Sequence, residues 1–206
     1  DPPVMHPFDE TFFQQPTVEI ARALLGALLV RALPEGRLVG RIVEAEAYLY
    51  DDPACHGVRA LPDGGTIHKR TRRNAAMFGP PGHAYVYFTY GNHFMFNVVT
   101  GPAGLPEAVL IRALEPLEGR EIMEHNRRMR STTPRPQWLT NGPGKLARAF
   151  AIDRALDGHD LAAPPLQLFR GGPVTEIVTT TRIGISRATD CPYRVYEKGN
   201  PWVSRK

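Results

Sequence analysis

The stretch Arg41-Ile-Val-Glu-Ala-Glu-Ala-Tyr48 decides how this chain folds, and Tyr85-Val-Tyr-Phe-Thr-Tyr90-Gly-Asn92 with Asn97 is read beside it. The first stretch is a strand entered through Leu38, Ile42 and Val43, and alternation puts Glu44, Glu46 and Tyr48 on one face. An acid on an apolar strand is costly unless it is paired or used. The second stretch turns at Gly91-Asn92 and returns from Phe94 to Val99 as a hairpin. A carboxylate strand beside an aromatic hairpin points to an enzyme that grips a flat ring and hydrolyses something next to it.

Working outward, Pro16 to Leu25 reads as a short helix stopped by Gly26. Ala27–Ala32, Pro34-Glu-Gly36 and Arg37–Tyr48 read as a hairpin, and Asp51–Gly65 as a Pro/Gly/Asp-rich loop that carries His56. Ala108–Leu114 is an apolar strand interrupted by Arg112, followed from about Leu117 by an Arg-rich helix. Asn141 to Ile152 opens with capping residues and Pro143, so free amides there are placed to face an anion. The tail from Leu166 to Trp202 alternates weakly and suggests more strand. With no repeat and no linker, the 206 residues are expected to form one domain, 1–206. The expected class is α+β, a curved and largely antiparallel sheet core with a protruding β-hairpin and surrounding helices.

Lys and Arg number 25 against 21 acids, a net +4 that permits nucleic-acid binding without requiring it. The cations crowd the middle: His68-Lys-Arg-Thr-Arg-Arg73, Arg120, Arg127, Arg128, Arg130, Lys145 and Arg148. On charge alone, a solvated basic face explains them equally well. Cys55 and Cys191 lack the spacing of a disulfide framework or a zinc site, and a reducing compartment is expected. The longest apolar run, Ala23–Val30, is too short to span a bilayer, and no signal-peptide pattern precedes it. A soluble intracellular protein is expected, cytoplasmic and nucleoid-associated in a bacterium, nuclear in a eukaryote. Gly142-Pro-Gly-Lys145 lacks the spaced first Gly and the Ser/Thr of a P-loop, which argues against a nucleoside triphosphate.

In order along the chain, several segments resemble the alkyladenine (methylpurine, 3-methyladenine) DNA glycosylase family. They are Ala23-Leu-Leu-Gly26, Gly40 to Leu49, Arg73-Asn74 with Met77-Phe78, Tyr85-Val-Tyr87 with Tyr90-Gly91, Arg112 to Gly119, Gly142-Pro143 with Lys145-Leu146, and Pro201-Trp-Val-Ser204. The chain departs from the pattern at Tyr50, where the family has Gly, at His93, where it has an aromatic, and in a shortened Tyr48–His56 stretch.

The resemblance implies a monofunctional base-excision enzyme that flips alkylated, and possibly deaminated, purines out of duplex DNA and hydrolyses the N-glycosidic bond. It implies a monomer, with no metal and no cofactor. Glu46 becomes the general base for water, because bond cleavage passes through an oxocarbenium-like sugar. The bland alternative pairs Glu46 with Arg41 or Arg112 for structure. Arg112 takes an auxiliary catalytic role, its partner being Glu46 or a DNA phosphate. Tyr48, His56 and Tyr87 become walls of a base pocket. Glu44 is read as structural, and Tyr85 as core. Tyr90 becomes the wedge that fills the gap left by the extruded nucleotide. Arg72 in Thr71-Arg-Arg-Asn74, and Gly144 with Lys145, become phosphate contacts.

Both Tyr87 and Asn97 are expected to touch the flipped base, which requires one face and hence an odd hairpin loop, Gly91–His93 or a five-residue version, with Tyr87 directly across from Asn97. There the Asn97 amide would obstruct the exocyclic amino group of guanine. Two rival readings are a non-catalytic nucleic-acid binding module and a nucleosidase acting on free purine nucleosides.

Overall fold

The computed structural model describes residues 4–129 and 135–205; Arg130, one of the basic residues above, lies outside them. Helix α1 (Thr17–Leu24) buries Ile20, Ala21 and Leu24. It is stopped at Gly26, whose φ of +89° and approach to the Gly172 carbonyl leave no room for a Cβ. Strands β1 (Leu28–Leu33) and β2 (Gly36–Tyr48) form the expected hairpin, Leu33 paired with Gly36.

Within the segment expected as loop, β3 (Val58–Ala60) pairs with β4 (Thr66–His68). Strands of three residues are too short for alternation to reveal, and in this ribbon Val58 is buried while Arg59, Ile67 and His68 are exposed. The second hairpin joins β5 (Ala84–Thr89) to β6 (His93–Val99). Strand β7 (Ala108–Glu118) outlasts its apolar stretch, because Pro116 and Glu118 still pair with Gly40 and Val39 although Leu117 and Glu118 are exposed. The helix expected from Leu117 is therefore α2 (Arg120–Arg127), entered through Gly119 at φ +79°. Helix α3 (Pro143–Ala149) is shorter than the Asn141–Ile152 stretch. The tail supplies β8 (Leu166–Phe169), β9 (Ile177–Thr180) and β10 (Arg194–Glu197).

Eight of these strands make one open, curved sheet in the order β5-β6-β7-β2-β1-β8, with β10 joining β2 to β9. Every ladder among the described residues is antiparallel. With the helices, this is the expected α+β architecture. The long β2 is the trunk: its first half pairs with β1, residues Glu44 to Glu46 pair with β10, and its other edge pairs with β7. Val43, Ala45 and Ala47 join a core that includes Phe96, Ile111, Leu114 and Phe150. Each large side chain of that core contributes about 1.5–3 kcal/mol on burial. Helix α3 packs on β6 and β7, and α1 on β2, β7 and β10. The carboxylates of β2 are buried beneath the C-terminal segment, where Ile183 meets Glu46 and Ser204 meets Glu44.

Candidate active site

Four strands bring the expected residues together. Glu46 on β2 pairs with Leu110 on β7, Leu110 with Asn97 on β6, and Asn97 with Tyr85 on β5. Directly opposed residues share a face, as do residues two apart, so Tyr48, Arg112 and Tyr87 lie on that face too. The hairpin loop is odd-numbered as expected, but it is Tyr90–Asn92, closed by the Thr89–His93 pair. Tyr87 therefore opposes Met95 and stands diagonal to Asn97, while Tyr85 takes the place directly across. The expected direct Tyr87–Asn97 pairing is out of register by two residues, which keeps both side chains on one face. The cause is that Tyr90 and Gly91 both adopt positive φ, +54° and +70°, and move the turn one residue toward the N-terminus.

Glu44 and Glu46 are both fully buried, yet their surroundings differ. Glu44 accepts from Arg194 Nη1 at 2.9 Å, from the Ser204 amide at 2.9 Å and from the Ser204 hydroxyl at 3.0 Å, with Arg112 Nε 3.4 Å away. Glu46 accepts from the Ile183 amide at 2.7 Å and the Tyr48 hydroxyl at 3.0 Å, and Arg112 Nη1 is 3.4 Å away. Burial pushes the Glu46 carboxyl above the usual carboxylate range, against the pull of Arg112, the Ile183 amide and Tyr48. Arg112 sits between the two acids at long range, and its Nε has no hydrogen-bond partner among the described residues. Arg41, the other partner considered for Glu46, instead binds Glu197 at 2.5 Å and Glu115 at 3.4 Å.

Around Glu46 stand the aromatic side chains. Tyr48 and Tyr87 pack against a second apolar cluster that includes Cys55, Phe78 and Tyr85. The His56 ring meets Tyr87 at 4.4 Å between centroids and accepts or donates at Nδ1 to the Tyr85 hydroxyl, 3.1 Å away. His56 keeps an exposed edge, but packing against these rings, and Arg73 nearby, hold its pKa below the ordinary imidazole value. Burial pushes Tyr87 up to about 12, and raises Tyr48 and Tyr85 as well, so the set is uncharged at neutral pH. Asn97, buried, donates from Nδ2 to the Tyr85 carbonyl at 3.1 Å, which fixes its amide.

The C-terminal tail supplies what the sequence reading missed. Arg182 is buried in an ion pair with Asp52, donates to the Ala47 carbonyl at 3.0 Å, and lies over the rings of Tyr48 and Tyr193 at 4.7 and 5.1 Å. This clamp fixes the segment whose next residue, Ile183, gives its amide to Glu46. Arg194 also donates to the Thr181 carbonyl at 2.8 Å. A signal existed for both arginines, because each is followed directly by an apolar residue, Ile183 and Val195. An amide such as that of Ile183 has no side-chain signature at all. Tyr85, read as core, is core and also supports His56.

Several residues expected at a DNA surface lie about the β5–β6 hairpin. Tyr90 is 77% exposed at the hairpin tip. Arg72 is exposed, and its neighbour Arg73 donates to the Phe88 carbonyl at 2.6 Å and stacks 5.7 Å over Tyr87. Gly144 is buried, and a Cβ there would fall 2.7 Å from His93 Nδ1, so a glycine lets α3 approach β6. Lys145 donates to Asn141 at 2.9 Å, and burial, then Arg127, lower its pKa. Among the described residues, no group of three or more His, Cys, Asp and Glu is placed to hold a metal ion, and no helix is long and apolar enough to cross a membrane. Cys55 is buried and its thiol is pushed up to about 12.

Comparison with known proteins gives this geometry its context. The model of the methylpurine-DNA glycosylase family matches residues 11–201. A protein of Carboxydothermus hydrogenoformans is 49% identical over 95% of this chain and 97% of its own length. One of Methanoculleus marisnigri is 48% identical over 95% and 97%, and one of Salinibacter ruber 46% identical over 97% of each. All three bear the name "Putative 3-methyladenine DNA glycosylase". With the family model covering most of the chain and relatives of this identity spanning nearly all of it, the protein belongs to the methylpurine-DNA glycosylase family and is a DNA glycosylase.

Proposed function

We propose that the enzyme flips an alkylated purine out of duplex DNA and hydrolyses its N-glycosidic bond with a water activated by Glu46. The observation that carries this is the Glu46 carboxylate, fully buried, on the same sheet face as Tyr48, Tyr87 and Asn97. As the bond from C1′ to the purine nitrogen breaks, its electron pair leaves with the base. Water oxygen bonds to C1′, and Glu46 takes the water proton. The ionised carboxylate also steadies the developing sugar cation. Arg112, with an unpartnered Nε beside both acids, has donor capacity left to orient the water or the sugar.

The uncharged pocket favours a cationic purine. Neutral His56 adds no positive charge to repel it, and electron-rich Tyr48 and Tyr87 attract it. An alkylated base that already carries positive charge leaves without a general acid, and burial holds Tyr48, Tyr85 and Tyr87 in their protonated form. Tyr90 fills the space of the extruded nucleotide, Arg72 and Lys145 contact backbone phosphates, and Gly144 lets the chain lie close to them.

The test is incubation, with EDTA present, of the protein with duplex DNA holding one alkylated purine, scored as alkali-labile abasic sites. Parallel duplexes with hypoxanthine and ethenoadenine define breadth. Glu46→Gln is expected to lower single-turnover base release by about 10²–10⁴ while binding to abasic duplex persists. Activity within a few-fold of wild type would remove Glu46 from the role. A free purine nucleoside hydrolysed in preference to duplex would favour a nucleosidase instead.

A further inference from the structure

Three clefts follow one another beside the proposed base pocket, neighbours sharing lining residues, and together they trace a groove. The first, about 700 Å³, is lined by Arg72, Arg73, Tyr87 and Arg154. The second, about 640 Å³, shares Arg73 with it and adds His56, Tyr85, Asn74 and Lys69. The third, about 560 Å³, shares Arg59, Ala60 and Arg187 with the second and runs onto the β3–β4 ribbon at Leu61 and Ile67.

Six cations line this path, Arg154, Arg72, Arg73, Lys69, Arg59 and Arg187, and all six are exposed. Asp157 is the one carboxylate along it, and its side chain accepts from the Val86 amide at 2.9 Å. Among the described residues none of the six forms a salt bridge, whereas Arg37, Arg41, Arg112, Arg120, Arg182 and Arg194 each do. A row of unpaired like charges along a groove repels itself in the free protein, and an anion of matching length relieves that repulsion.

The groove is also built, not merely lined. Asn74 is buried in its floor; its Nδ2 donates to the His56 and Lys69 carbonyls at 3.0 Å each, and its Oδ1 accepts from the Thr71 amide at 2.7 Å. The Lys69 amide donates to the Gly57 carbonyl at 2.9 Å. One side chain thus ties the wall of the base pocket to the wall of the groove.

We infer that this groove holds the sugar-phosphate backbone of the DNA strand on one side of the flipped nucleotide, so that the β3–β4 ribbon extends the footprint asymmetrically. The inference rests on the reading of His56 and Tyr87 as pocket walls, since those residues fix where the strand enters. Phosphates spaced along a strand match cations spaced along a groove, and the contacts are blind to base sequence.

The test is binding, so that it stands apart from base release. Wild type and Arg59→Ala/Lys69→Ala/Arg187→Ala are titrated into duplex carrying a stable abasic analogue, across a series of salt concentrations. Loss of three phosphate contacts lowers the slope of log Kd against log salt by about 2 to 3. Shortening the duplex on one side of the lesion weakens wild type more than the triple variant; shortening the other side weakens both equally. An unchanged slope, or equal responses to both truncations in both proteins, overturns the inference. Single-turnover base release at saturating enzyme stays at the wild-type rate if only the groove is at fault. Failure of the catalytic reading shows instead as absence of base release by wild type, or as full activity of Glu46→Gln, whatever the slope.

Discussion

Arg194 and Arg59 are the same chemical group in opposite settings. Arg194 is 6% exposed, meets Glu44 at 2.9 Å and lies over Tyr196; Arg59 is exposed on a three-residue strand and meets no acid among the described residues. The difference is between charges that shape the molecule and charges that meet a ligand. Around β2, two acids and two arginines are desolvated together, and each holds the others in place because none has water to turn to. Along the groove each cation is solvated and replaceable, and only their sum matters.

The largest effect expected from this contrast is on stability. Arg194→Met leaves Glu44 buried without its closest cation, and removing one partner of a buried pair costs about 3–5 kcal/mol. The Ser204 amide and hydroxyl and Arg112 remain, which places the loss toward the lower end. Arg59→Met is expected to stay within about 0.5 kcal/mol, as for surface changes generally. Urea unfolding of both variants checks this; equal losses would erase the distinction.

Glu46 breaks the pattern within the buried region. Its pKa is raised, so ionising it opposes folding: its stabilising contribution is present below the unfolded-state pKa and is lost as pH rises through the folded value. Glu46→Gln is therefore expected to be more stable than wild type at neutral pH, with the two melting curves converging in acid. For catalysis the sign is complementary. A general base must be ionised, so base release falls with decreasing pH, with a midpoint above the ordinary carboxylate range. Wild-type single-turnover rates and melting temperatures across pH 4–8, roughly the window in which a perturbed carboxylate titrates, measure both. A variant less stable than wild type at every pH would mean that the carboxylate is structural like its neighbour.

Much of the interior was legible because alternation on β2 leaves little choice: once Val43, Ala45 and Ala47 face the core, Glu44, Glu46 and Tyr48 must share the other face. The parity of the β5–β6 loop came instead from the family resemblance, which puts Tyr87 and Asn97 on one face, whereas Gly91-Asn92 alone suggests a two-residue loop. The loop's exact position was not legible, because it depends on Tyr90 adopting a left-handed conformation that local sequence does not demand. The Ile183 amide, and the acids that Arg182 and Arg194 meet, were out of reach because β10 joins β2 from about 150 residues away, and weak alternation in the tail does not name its partner. Gly144 shows the converse: a glycine read from its helix start as an anion contact also has a packing reason, the approach of His93.

The proposed base selectivity rests on Asn97. Asn97 is held by the Tyr85 carbonyl and stands diagonal to Tyr87, so its amide is a fixed obstacle in the proposed pocket. Asn97→Ser removes that obstacle and one hydrogen bond, at a stability cost of about 1 kcal/mol. Release of guanine-derived bases relative to adenine-derived ones is expected to rise roughly tenfold, the scale of a small change of pocket shape. Competition between methylguanine and methyladenine in one duplex measures it, and an unchanged ratio would place Asn97 outside the base contact.

The smallest effect concerns the hairpin tip, where the backbone and the side chain of Tyr90 can be separated. A non-glycine residue at φ +54° is disfavoured by roughly 1–2 kcal/mol, whereas glycine is not. Glycine loses part of that advantage through greater freedom in the unfolded chain, about 0.5–1 kcal/mol. Tyr90→Gly is therefore expected to be as stable as Tyr90→Ala or up to about 1.5 kcal/mol more so. Both variants lack the ring, so both are expected to lose base release from well-paired lesions and to keep it on single-stranded substrate, where no stack has to be refilled. If Gly and Ala differ in release while matching in stability, the turn conformation acts on flipping directly. If both lose release on single strands as well, Tyr90 belongs with the buried groups that build the site, and the division between shaping and contacting charges does not extend to the aromatic residues.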